Sequence, residues 1–74
     1  QKDNYKKIRV VADGLDDKRF AIDGATNLTQ ENGALSFFYR GDINVIMRTL
    51  SESDVADLTI EEPTLEEIFM HYYE

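Results

Sequence analysis

His71 is the only histidine in the chain, and Glu67 stands four residues before it. On a helix that spacing places both side chains on one face, so both could touch one metal ion. A closed zinc site takes four ligands, and one helix supplying two is too few. The pair reads instead as a surface carboxylate beside an imidazole, favouring the protonated ring. Glu61, Glu62, Glu66 and Glu67 form the densest acidic cluster. They could gather a cation weakly, but they read as acids in water at a helix start. No cysteine is present, which removes thiolate nucleophiles, disulfides and cysteine zinc sites. Ser36, Ser51 and Ser53 lie outside any G-x-S-x-G turn, and nothing in the spacing brings His71 to them. The four glycines, at 14, 24, 33 and 41, stand singly, so neither a P-loop nor a G-x-G-x-x-G phosphate cradle can be written. The residues therefore nominate no catalytic, cofactor-binding or metal-ligating group.

Phe37, Phe38 and Tyr39 raise a different possibility, because RNA-binding sheets stack bases on strand aromatics beside Lys and Arg. The RNP1 pattern is absent, and the charge is wrong. Residues 1–37 carry six basic and six acidic groups, whereas residues 38–74 carry two basic and nine acidic groups. The net charge of −7 repels phosphates and anionic membrane surfaces alike. Lys6–Lys7 is the one short basic spot and reads as a solvated strand edge. No apolar run is long enough to span a membrane, and no apolar stretch of a signal peptide follows the first lysines. With 74 residues, 42% of them hydrophobic, the chain has the composition of one small globular domain. It begins at Gln1 rather than Met, and is expected to be one domain of a larger polypeptide.

The elements that would position these residues follow from periodicity and turn chemistry. Residues 5–12 alternate Ile8 and Val10 with Lys7 and Arg9, the period of a half-buried strand. Residues 15–20 predict a short helix or helical turn, with Phe20 and Ile22 tucked into the core. A second strand over 25–30 leads to Asn32-Gly33, a pair that tolerates the positive φ of a two-residue hairpin turn. A third strand follows over 34–39, leaving one of its aromatics near the face away from the core. Asp42 is a candidate N-cap for a helix ending near Leu50, with Ile43, Ile46, Met47 and Leu50 on one face. An irregular fourth strand spans 54–60. Thr64 and Glu67 then form a capping box after Pro63, opening a helix that runs to about Tyr73. Leu65, Ile68, Phe69 and Tyr72 make its apolar stripe, and Leu65, Ile68 and Phe69 are expected to pack within the domain. Tyr72 and Tyr73 are both candidates for a partner contact; they point about 100° apart, and Tyr73, off the stripe, is the better one. The order βαββαβ predicts an α+β, ferredoxin-like four-stranded antiparallel sheet with an added C-terminal helix.

The segment from Asp57 to Tyr73 carries more than periodicity. Pro63-Thr64-Leu65-Glu66-Glu67-Ile68-Phe69, preceded by a strand and followed by paired aromatics, resembles the closing segment of the C-terminal accessory domain of ABC transporter ATP-binding subunits, in particular those of the ABC-2 export type. The upstream layout, a strand, a hairpin and Gly41-Asp42 opening a helix, is also similar. The resemblance implies that residues 1–74 are the accessory domain following a nucleotide-binding domain. The phosphate loop, signature loop, metal-binding acid, catalytic glutamate and switch histidine of such a subunit would lie upstream. ATP and Mg would bind there, and this segment would be no enzyme by itself. The implied partners are the nucleotide-binding domain of its own subunit, a second copy in a homodimer and, through the whole subunit, a membrane permease. The implied location is cytoplasmic, at the inner face of the cell membrane. The alternative reading is a free-standing ferredoxin-like sensor of a small ligand, which would need a pocket with convergent polar groups.

Overall fold

The computed structural model describes residues 5–72. Strand β1 spans Lys6–Ala12, β2 Ala25–Glu31, β3 Ala34–Tyr39 and β4 Val55–Glu61. Helix α1 spans Ile43–Leu50 and α2 Leu65–Tyr72, and a single 3-10 turn covers Asp17–Phe20. The four strands form one sheet in the order β2-β3-β1-β4, and all three pairings are antiparallel. The protein is thus a small α+β domain with a four-stranded antiparallel sheet and two helices.

One face of the sheet carries the core. Ile8, Val10 and Ala12 of β1 stand beside Leu35, Phe37 and Tyr39 of β3, all buried. The 3-10 turn adds Phe20, whose ring lies 5.6 Å from that of Phe37, and α1 adds Ile46 and Leu50. Ile22 packs against the same cluster. Asp42 caps α1 as expected, its carboxylate accepting from the Asn44 backbone at 2.9 Å. The Tyr39 hydroxyl donates to the Asp42 carbonyl at 3.0 Å, fixing the start of α1 to the end of β3. Of the predicted α1 stripe, Ile46 and Leu50 are buried and Ile43 is half-buried, but Met47 is 44% exposed. Four apolar positions span more of the helix surface than this narrow sheet covers.

Two local features set the register. Asn32 and Gly33 have φ of 53° and 80°, so the β2–β3 hairpin closes through the two-residue turn with both φ values positive. Within β2 the pairing with β3 slips between Thr26 and Thr29, and Asn27 there adopts φ 57°. This bulge inserts an extra residue and reverses the strand's parity. Without it, Leu28 would face away from the core; with it, Leu28 packs against the core and Gln30 lies opposite buried Leu35. The Gln30 amide donates to the Leu15 carbonyl at 2.9 Å. A second slip, between Val11 and Ala12 on the β4 side, accounts for the irregular spacing of Val55 and Leu58. Both are half-buried against the core, whereas Ile60, near the end of that strand, is 40% exposed.

Candidate functional site

The other face of the sheet is mixed, with charged and hydroxyl side chains beside Phe38, Val11 and Ala34. Register places three cross-strand rows on it: Glu61, Lys7, Phe38 and Thr26; then Thr59, Arg9, Ser36 and Thr29; then Asp57, Val11, Ala34 and Glu31. Phe38 is half-buried there, with Tyr5 edge-on to it at 5.5 Å. Phe37 and Tyr39 belong to the core, at 1% and 4% exposure. The strand aromatics that could have stacked bases are therefore used in packing. The depressions on this face are lined by residues such as Arg9, Thr29 and Ser36.

Helix α2 begins where the sequence places it. The Thr64 hydroxyl accepts from the Glu67 backbone N–H at 3.0 Å, and Glu67 Oε1 accepts from the Thr64 backbone N–H at 2.9 Å. This is the reciprocal capping box, and it satisfies two donors that the first turn would otherwise leave free. The second Glu67 oxygen, Oε2, receives the ammonium of Lys7. The Lys7 ammonium first, and the Thr64 backbone N–H second, hold the Glu67 carboxyl below its ordinary value against the opposing effect of burial. A second ion pair joins Lys6 to Glu62 in the segment leading to the helix. Lys6 and Lys7 are thus not a solvated edge. β1 lies between β3 and β4, and both lysines pair with acids of the C-terminal segment; Glu67 is thereby partly shielded, whereas Glu62 stays largely in water.

The apolar stripe of α2 departs from expectation. Leu65 is 80% exposed, Phe69 61% and Met70 56%, while Ile68 is half-buried. The expected packing of Leu65 and Phe69 within the domain is not observed. The core face is already filled by α1 and the 3-10 turn, and Lys7 draws the start of α2 toward the opposite face. Leu65 and Phe69, four residues apart, share one helix face and remain substantially in solvent. The family-motif residues Pro63, Thr64, Leu65, Glu66, Glu67, Ile68 and Phe69 therefore divide. Thr64 and Glu67 build the helix start, Pro63 and Ile68 are half-buried, and Leu65, Glu66 and Phe69 face outward. Tyr73 lies outside the described residues, as do the side chains of His71 and Tyr72. Among the described residues no three His, Asp or Glu side chains come together as a metal site. No helix among them is long and apolar enough to cross a membrane.

Sequence reasoning missed Lys7. The only signal for it was an unpaired cation on a strand and an acid-rich helix start far along the chain. That complementarity becomes a contact only through the sheet order.

The fold is that of a small α+β domain whose last described helix is capped and keeps Leu65 and Phe69 largely exposed. The family model described as "ATP-binding protein DrrA1-3-like, C-terminal domain" matches residues 1–73. The chain belongs to this family, the C-terminal domain of ABC transporter ATP-binding proteins of the ABC-2 export type. No curated protein and no solved structure matches it.

Proposed function

We propose that this domain is a docking module of an ABC transporter ATP-binding subunit, which uses α2 to bind a nucleotide-binding domain and so assemble or tune the ATPase. The observation that carries the reading is the exposure of Leu65 and Phe69 on a helix whose start is held by a capping box and an ion pair. An apolar stripe kept in water on an ordered helix fits a groove on a partner. The partner is the nucleotide-binding domain of the same subunit or its counterpart across the ATPase dimer. The permease is reached through the whole subunit, at the cytoplasmic face of the membrane. In this reading the domain is not an enzyme and holds no cofactor, and ATP and Mg bind the nucleotide-binding domain. The strand order, with β1 and β3 central, is in our reading the split βαβ arrangement of ferredoxin-like folds, its first helix reduced to the 3-10 turn.

The test uses the full-length subunit carrying Leu65→Asp together with Phe69→Asp. Because both positions are exposed, the domain is expected to keep its fold, which circular dichroism checks on the 74-residue chain. Nucleotide-dependent pairing of the subunits, followed by light scattering, and ATPase activity are expected to change together. Unchanged pairing and unchanged ATPase activity in the folded variant would remove the docking reading.

A further inference from the structure

We propose that Lys7 is the positioning residue of the terminal helix: its ammonium, carried by a central strand onto the open face of the sheet, latches Glu67 and sets where α2 lies. Lys7 is in register with Phe38 on one side and Glu61 on the other, so its side chain rises from the middle of that face. Glu67 divides its two oxygens, Oε1 closing the capping box and Oε2 meeting Lys7. One carboxylate therefore couples the start of the helix to its place on the sheet. The backbone of α2 makes no extensive contact with any strand, so side chains must hold it. The Lys7 and Glu67 side chains are 32% and 26% exposed, against 41% and 76% for Lys6 and Glu62. The latch is thus the better shielded of the two pairs and the less screened by salt. Pairs this close to the surface shift an equilibrium by only about two- to fivefold. Such a latch orients the helix while leaving it releasable. That Lys7 thereby aims the Leu65–Phe69 stripe at a partner rests on the docking reading above; the latch itself does not.

The 74-residue chain contains no cysteine, so Met70→Cys, at an exposed position, takes a single nitroxide label. Glu67, one turn before the label, lines one depression with Ser36 and Phe38, so the label is expected to broaden the amide signals of those two residues. Lys7→Met removes the latch. Glu67→Gln also removes it but keeps the capping box, because a glutamine carbonyl can still accept from the Thr64 N–H. In both variants the broadening at Ser36 and Phe38 is expected to fall, with a docked-to-released ratio lower by about two- to fivefold. The carbon shifts of residues 65–70 are expected to remain helical. Broadening unchanged in both variants would overturn the proposal and leave the apolar contacts of α2 as what places it. Should Lys7→Met disturb the sheet, Glu67→Gln, which lies outside it, decides alone. A working latch combined with Leu65→Asp and Phe69→Asp variants that pair normally would remove only the docking reading.

Discussion

Each oxygen of Glu67 has its own partner, and this makes the residue sensitive to acid. Lys7 and the Thr64 backbone favour the ionised form, so the folded-state value lies below the ordinary 4.5. A lowered carboxyl contributes stability that is complete above the ordinary value and is lost as the pH falls through the lowered one. Acidification below about pH 4 is thus expected to loosen α2, read as faster amide exchange at Glu67 and Ile68. The same measurement in Glu67→Gln is expected to change less with pH over that range. Thr64→Ala removes the other half of the box and is expected to cost the helix about 0.5–2 kcal/mol. Because α2 stands apart from the core, that cost belongs in the exchange rates of its first turn more than in the unfolding midpoint of the domain. A first turn as protected as in the parent chain would show that the box does not hold the helix. Asp42 is also lowered, by the Asn44 backbone N–H first and the Asn44 side chain second, but it lies in water and marks only the start of α1.

The two helices, alike in length, do different work. α1 completes the core through Ile46 and Leu50, both essentially inaccessible to water, whereas α2 leaves Leu65 and Phe69 exposed. Truncation separates these roles. Ile46→Ala leaves a cavity among tightly packed side chains and is expected to cost about 2–5 kcal/mol. Leu65→Ala removes a side chain already in water and is expected to stay within about 0.5 kcal/mol of the parent. Urea denaturation of both variants checks the contrast, and a comparable loss at Leu65 would mean that α2 belongs to the cooperative core. The strands show a similar division. β1 and β3 are apolar on the core face and mixed on the other, and β2 joins them with its parity reversed because Asn27 accepts a left-handed conformation. Asparagine visits that region more readily than other non-glycine residues. Immediately before β2, Gly24 has φ of 92°, and a Cβ there would sit 2.1 Å from the Arg40 carbonyl oxygen, whose own residue donates to the Gly24 carbonyl. Chain reversal at that corner requires glycine.

The whole molecule carries its charge unevenly, with the acidic half built from α1, β4 and α2. Ion pairs of Lys6 with Glu62, Lys7 with Glu67 and Arg19 with Glu52 join the neutral half to the acidic one. They leave the net charge of −7 untouched, and its field repels polyanions at long range. The chain is expected not to bind single-stranded RNA even at about 50 mM salt, where a phosphate-binding surface would be at its strongest. Fluorescence anisotropy of a labelled oligonucleotide checks this, and a saturable rise would overturn it.

Local chemistry made much of this molecule legible in the sequence. The Asn32-Gly33 turn, the Asp42 cap, the Thr64–Glu67 box and the element order each depend on residues a few positions apart, whose backbone preferences act before any tertiary contact forms. The family likewise lay in a continuous run, Pro63 to Phe69. The bulge at Asn27 was hidden because a parity reversal is visible only against the partner strand. The stripe of α2 was misjudged because periodicity states that a helix has an apolar face, not which surface is left for it to cover. Once Phe20, Ile46 and Leu50 had filled one side of the sheet, Leu65 and Phe69 had no place in that core. The contact between Lys7 and Glu67, separated by sixty positions, arises only because the sheet order puts β1 beside β4, so that a central-strand lysine meets the helix that follows the edge strand. Sequence determined where each element starts and turns; tertiary structure decided which faces meet, because that depends on competition for a single small core.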